Sequence, residues 1–333
     1  MSTFGLVVII VLIALIFDYV NGFHDAANSV ATVVATRVLT PLQAVALAGA
    51  FNFLAAFALG TGVAATIGRG FVNTHIVTPH VILAGLLGAI VWNLLTWFLG
   101  LPVSSSHALI GGYAGAALAK AGTHGLVVGK WPITLIFIVV APVIGLLLGY
   151  AFMLAVYWIF RKTPPGRMDR WFRHLQILSA SLLSCAHGTN DAQKSMGIIT
   201  AVLVAGGFEK TFHVPDWVIF ACAAAMGLGT LSGGWRVVHT MGTRLTRLKP
   251  RSGFCAETGA AISILLATWL GLPVSTTHVV AGAIAGVGSI QRVRAVRWSV
   301  ATDIVVAWIL TIPAAALVSA LAFFLIRAFQ PAA

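Results

Sequence analysis

A chain of 333 residues that is 59% hydrophobic and 8% charged is too apolar for a soluble globular domain, and its apolar runs recur at membrane-spanning length. Its 20 basic and 8 acidic residues give a net charge of +12. No basic run is interleaved with aromatics, which argues against a nucleic-acid partner and leaves an all-α polytopic membrane protein.

Met1 to Gly5 carry no Lys or Arg, so the first apolar segment lacks the basic start of a cleavable signal peptide and is expected to stay in the protein. Apolar runs follow near 4–20, 23–37, 42–67, 80–99, 102–119 and 131–160. After RKTPPGRMDRWFR (161–173), a Pro-rich basic linker expected on the cytoplasmic side, they resume near 174–186, 188–206, 215–235, 254–271, 274–289 and 299–327. The linker thus separates a first half, 1–160, from a second, 174–333. Cys185, Cys222 and Cys255 lie in apolar runs without CxxC spacing, which points to packing residues and away from a disulfide framework or a zinc site.

Two motifs recur across the halves. GFHDAANS (22–29) returns loosely as GTNDAQKS (188–195), and GLPVSSSH (100–107) returns closely as GLPVSTTH (271–278), each roughly 170 residues later, as an internal duplication requires. Basic residues then orient the halves. One side collects Arg37, Arg161, Lys162, Arg167, Arg170, Arg173, Arg236, Arg244, Arg247, Lys249, Arg251, Arg292, Arg294 and Arg297; the other keeps Arg69, Lys120, Lys130, Lys210 and Arg327. The asymmetry predicts both termini outside, the halves as inverted copies, and each Pro-Val-Ser motif at the tip of a hairpin.

Residues 4–37 and 174–206 are each too long for one straight helix through an apolar core of about 30 Å at about 1.5 Å per residue. Breaks are expected at Asn21-Gly22 and His187-Gly188, with new helices beginning at His24, Asp25 and Asn28 and at Asn190, Asp191 and Lys194. Pro102 and Pro273 suit the first turn of a helix. The hydroxyls that follow, Ser104, Ser105 and Ser106 in one half and Ser275, Thr276 and Thr277 in the other, would stand beside free backbone N–H groups at a positive helix end. That arrangement binds a tetrahedral oxyanion, and two such ends meeting at the membrane midplane describe the substrate site of a secondary transporter. The plainer reading is that these hydroxyls only cap their helices.

Asp25 and Asp191 would repel an anion unless they carry a proton, hold a cation, or grip a protonated oxyanion. Lys194 adds one positive charge there, or snorkels to the surface. His24, His107, His278 and Glu257 are further coupling candidates, with core packing as the alternative for the histidines, and Asp18 precedes the first break. No metal is fixed by this pattern and no cofactor is called for.

NGFHDAANSVAT, AHGTNDAQKSMG, PVSSSH and PVSTTH together resemble the inorganic phosphate transporter (PiT) family, specifically its bacterial low-affinity members, over essentially the whole chain. The resemblance implies a homodimeric phosphate symporter of the bacterial inner membrane, driven by a proton or sodium gradient, with divalent metal co-transported as neutral metal phosphate. It assigns phosphate contact to Asp25, Asn28, Asn190, Asp191, Ser104–Ser106 and Ser275–Thr277. A PhoU-like cytosolic protein is the accessory partner it suggests for the basic inner face. Two departures stand out: the family's asparagine-aspartate pair is His24-Asp25 here, and Lys194 replaces an asparagine. Sodium-coupled relatives build cation sites from those asparagines, and a fixed ammonium opposes a sodium ion, so proton coupling is expected. Sulfate is the alternative substrate. An intramembrane hydrolase is disfavoured, because catalysis does not call for one constellation twice in opposite orientations.

Overall fold

The structure is a computed structural model that describes residues 2–329 apart from 59, 73–75, 128, 130 and 291, and only the backbone of 69 and 70. Lys130 and the side chain of Arg69, both assigned above to the less basic side, lie outside the described residues. The first half forms α1 (Thr3–His24), α2 (Ala26–Ala35), α3 (Pro41–Ala55), α4 (Gly62–Gly70), α5 (Pro79–Leu99), α6 (Ser105–Ala121) and α7 (Trp131–Ile159). The second forms α8 (Pro165–Ala205), α9 (Asp216–Ser232), α10 (Trp235–His239), α11 (Pro250–Trp269), α12 (Thr276–Ser289) and α13 (Trp298–Phe329). Thr3–Ala35, Pro79–Leu99, Trp131–Ile159 and Trp298–Phe329 are long and apolar enough to cross a membrane. A fifth crossing arises if α9 and the 235–244 helix, bent by 61° at their junction, count as one.

Two apolar cores lie one above the other, and each draws on both halves. The first holds Leu6 to Phe17 of α1, Val81 to Ala89 of α5, Ala108 to Ala117 of α6, Ala192 to Val202 of α8, and Ala315 and Phe323 of α13. The second holds Ala27 to Val33 of α2, Met168 to Ala186 of α8, Cys255 to Ile264 of α11, Val279 to Val287 of α12, and Ile304 and Trp308 of α13. Buried polar residues fill the layer between them: Asn21, His24, Asp25, Asn28, Ser29, Asn52, Asn93, Thr96, Ser104 to His107, His187, Thr189 to Asp191, Gln193 to Ser195, Thr268 and Ser275 to His278. Such a layer is tolerated in a membrane only where protein or a wet cavity satisfies it.

The helices take opposite courses through these layers. α1 runs from the first core to the second, and α8 from the second to the first. α5 descends out of the first core and α6 returns to it; α11 leaves the second core and α12 returns there. The same turn ends both descents: Gly100 (φ 69°) and Gly271 (φ 68°) take the left-handed conformation, and the following Leu-Pro prevents the helix from resuming. With 17 residues in α6 and 14 in α12, the returning arms reach only about 25 and 21 Å, short of a bilayer core of about 30 Å. Packing repeats across the halves, α7 on α12 as α13 on α6, and α9 on α1 as α3 on α8.

Three sequence expectations need correction. The 161–173 linker is a turn at 161–164 followed by the opening turns of α8. Pro102 and Pro273 precede their helices, which start at Ser105 and Thr276, and so lie outside the first turn. The break expected at Asn21-Gly22 falls at Asp25 instead, and none occurs at His187-Gly188, where α8 runs unbroken for 41 residues. Both glycines serve close packing. A Cβ at Gly22 would stand 2.3 Å from Met226 O of α9, and one at Gly188 2.5 Å from Asn52 O of α3. Enclosure by neighbouring helices, with side-chain partners for its polar residues, lets α8 stay continuous. Gly188→Ala is therefore expected to lower stability by about 1–3 kcal/mol through overpacking. A flexible break would instead be stiffened and stabilised by alanine; detergent-solubilised thermal unfolding distinguishes the two.

Candidate functional site

Asp25 closes α1 and opens α2, its N–H bonded to Asn21 O at 2.8 Å and its carbonyl accepting from Asn28 N at 2.9 Å, which sets its carboxyl in the polar layer. Its Oδ1 lies 2.8 Å from His24 Nδ1, and His24 Nε2 lies 3.2 Å from Thr96 Oγ1. Thr96 already donates its hydroxyl to Trp92 O at 2.8 Å, so Nε2 has to be the donor in that contact. The contact between Nδ1 and Oδ1 then needs a second proton, held by either atom, and the His24–Asp25 pair is neutral overall.

Asp191 stands on α8, within the protein and 0% exposed. Lys194 donates to its Oδ1, Thr276 Oγ1 donates to Oδ2 at 3.2 Å, and His187 Nε2 lies 3.3 Å from Oδ2. Lys194 does not snorkel: it is fully buried and also donates to Ser106 Oγ and, at 3.4 Å, to Val274 O, which uses all three ammonium hydrogens. One side chain thus ties α8 to the tips of both hairpins. Asn28 Nδ2 completes the join from α2, donating to Thr276 Oγ1 at 3.3 Å and Thr277 Oγ1 at 3.0 Å. Asp25, His187 and Asp191 bring one ligand atom each to within 4.8 Å of one another, a set of donors suited to a cation.

The sequence-predicted residues divide accordingly. Asn28, Asp191, Lys194, Ser106, Thr276 and Thr277 form one hydrogen-bonded, closed cluster with Asp25 beside Asp191, none more than 3% exposed. Ser105 Oγ, Asn28 Oδ1 and Asn190 Oδ1 are buried there without a hydrogen-bond partner in the protein, the unspent capacity that a polar ligand satisfies. Ser104 and Ser275 behave as the plainer reading has it: each Oγ caps its own helix, accepting from His107 N and His278 N at 3.2 Å. Asn190 anchors α8 to the other side of the α11 turn through Thr268 Oγ1 at 2.8 Å.

His107 and His278 meet just behind the hairpin tips, ring centroids 4.9 Å apart. His278 stacks on Trp308 at 3.8 Å, and Trp308 Nε1 donates to Pro102 O at 2.9 Å. Glu257 lies among second-core residues, accepting from Thr32 Oγ1 at 2.5 Å, Gln176 Nε2 at 2.9 Å and Ser179 Oγ. It shares no hydrogen bond with the Asp25–Asp191 cluster. Sequence reasoning used His187 only as a helix break and passed over Thr96 and Asn52; a histidine four residues before an intramembrane aspartate on a continuous helix is the signal for the first. Asn52 holds His187, its Oδ1 3.4 Å from Nδ1, and donates to Thr230 Oγ1 at 2.8 Å.

Comparison with known proteins bears on what this site handles. The sequence model of the phosphate transporter family matches residues 21–319. The chain is 55% identical to a probable low-affinity inorganic phosphate transporter of Rhizobium meliloti (strain 1021), over 96% of each chain. It is 44% identical to the protein of that name in Bacillus subtilis (strain 168), over 97% of each. A solved structure, "The sodium-dependent phosphate transporter", superposes with a TM-score of 0.88 at 27% identity, covering 97% of this chain and 99% of that one.

Proposed function

This chain belongs to the phosphate transporter family, and from that premise we propose that it imports inorganic phosphate by proton-coupled symport, through alternating access between inverted halves. The family is one of transporters, and the chain is a multi-pass membrane protein rather than an enzyme. The observation that carries the coupling reading is Lys194. It stands where the first half has Asn28, and its ammonium occupies the space beside Asp191 that a sodium ion would need. With Asp191 neutralised by Lys194 and Asp25 by the proton shared with His24, the cluster carries no net charge. Phosphate then meets the hydroxyls of Ser105, Ser106, Thr276 and Thr277, donors matched to a tetrahedral anion.

The opposite courses of α1 and α8, and of the two hairpins, support the inverted-repeat reading. Alternating access then rocks one hairpin away from the other, parting the contacts that Lys194 and Asn28 make across the site. A divalent metal arriving with phosphate is cargo; Lys194 opposes its binding at Asp191 as it opposes sodium, which leaves Asp25 and His187 as the donors to meet it. Arg161, Arg167, Arg170, Arg173, Arg244, Arg247 and Arg297 are exposed at the second-core end. Under the positive-inside rule that end faces the cytoplasm of a bacterial inner membrane, with both termini outside, and offers a basic surface to an acidic cytosolic partner. The homodimer rests on the family resemblance alone.

Sodium coupling is the second reading, favoured by the sodium dependence that the solved relative's name states. Radiolabelled phosphate uptake into proteoliposomes, driven by a proton gradient and separately by a sodium gradient, decides between them. Uptake is expected with protons alone and undiminished by excess sulfate. Sodium-driven uptake overturns the meaning given to Lys194, and sulfate competition moves the substrate to sulfate.

A further inference from the structure

Asp18 sits on α1 two turns before Asp25, 0% exposed, with the Ser195 hydroxyl of α8 and the Cys222 thiol of α9 beside it. Neither of its carboxyl oxygens has a hydrogen-bond partner in the protein, and neither has Ser195 Oγ or either polar atom of Asn21, one turn on. It adjoins Phe17 and Ala14 of the first core, so it lies between the Asp25–Asp191 cluster and the end of the molecule where both termini lie. It also breaks the repeat. The register that pairs Gly22 with Gly188 and Asn28 with Lys194 pairs Asp18 with Ser184, whose hydroxyl is spent on Ala180 O at 2.8 Å.

An ionised carboxylate in these surroundings would give up its hydration with only the Ser195 hydroxyl and the weak Cys222 thiol near enough to turn toward it, at a cost of several kcal/mol. The charged and titratable groups that face it are Lys194 and Asp191 from α8 and Cys222 from α9. The third helix packed on α1, α5, has His80 as its titratable side chain, beside Leu6 and Ile9 near the far end. Lys194 has no hydrogen left to donate to Asp18, since its three go to Asp191, Ser106 and Val274, and its charge is offset there by Asp191. The acid form is the one that the site accepts.

We propose that Asp18 is a proton-binding site of the transport cycle, distinct from the phosphate cluster, that carries a coupling proton across with the anion. An O–H bond forms at its carboxyl when a proton arrives from water on one face. The same bond breaks when the proton leaves to water on the other, with Ser195 Oγ and Asn21 Nδ2 free to turn and solvate the carboxylate as the site opens. The proposal rests on the proton-coupled reading above.

Purified protein in proteoliposomes tests it. At equilibrium each coupled proton multiplies phosphate accumulation about tenfold per unit of pH gradient. Asp18→Asn is therefore expected to lower accumulation about tenfold at a one-unit gradient, while exchange of labelled for unlabelled phosphate without a gradient stays within about threefold of wild type. Asp18→Glu, which keeps the acid, is expected to retain coupling. Wild-type protein that ignores the pH gradient overturns the proton-coupled reading and this proposal with it. A responsive wild type beside an Asp18→Asn variant that accumulates phosphate equally overturns the proposal alone. Loss of exchange as well in a folded variant overturns it too, by placing Asp18 in anion binding. Ser195→Ala supplies a second test independent of whether Asp18→Asn folds. It removes a donor available to the ionised form, so the pH profile of uptake is expected to move to higher pH, and an unmoved profile contradicts the proposal.

Discussion

Asp191→Asn is expected to cost both uptake and stability. Lys194 and Asp191 are buried together and share a hydrogen bond, so removing the carboxylate strands an ammonium in a dry interior, a change that costs about 3–5 kcal/mol. Ser106 and Val274 O remain as its neutral acceptors, and neither supplies charge. Uptake should fall more than about 100-fold, because Thr276 at one hairpin tip loses its charged acceptor on α8 and Lys194, which holds Ser106 and Val274 O, loses the carboxylate that fixes it. The double variant Asp191→Asn with Lys194→Gln removes both charges and is expected to recover most of the thermal stability but none of the uptake. A single variant that unfolds at the wild-type temperature would contradict the pairing.

Asp25→Asn is expected to give the opposite balance, uptake lost by a similar factor with the fold kept to within about 1 kcal/mol. The amide can accept from or donate to His24 Nδ1, whichever the imidazole needs, so the 2.8 Å contact survives. What disappears is the proton that His24 and Asp25 share. Uptake and thermal unfolding measured on the same preparations separate the two aspartates, which the sequence presents as repeats of one another.

That difference marks the boundary between local and long-range information in the chain. GLPVSSSH and GLPVSTTH are legible because turn, cap and hydroxyl run are local chemistry, and a left-handed glycine before Leu-Pro ends a helix in either half. The basic end is legible too, since Arg161 to Arg173 and Arg244 and Arg247, exposed together at the second-core end, are placed by the membrane rather than by packing. The continuity of α8 is not, because it depends on α3 lying against Gly188 and on Lys194 finding Ser106, contacts between residues far apart in the chain. For the same reason Glu257 reads as a coupling acid when isolated in an apolar run, and only the fold reveals its three hydrogen bonds to Thr32, Gln176 and Ser179. Ser104 and Ser275 each cap their helix, the Oγ accepting from the third N–H, and because a hydroxyl can accept and donate at once the cap leaves their part in anion binding open to test.

The most direct test of the central claim, that one anion sits where the two hairpin tips meet, is an experimental structure with arsenate, a heavier tetrahedral analogue of phosphate. Density is predicted within hydrogen-bonding reach of Ser105, Ser106, Thr276, Thr277 and Asn28, beside the Asp191–Lys194 pair. Arsenate bound instead on the exposed arginines of the second-core end, with the hairpin tips still closed on one another, would contradict it.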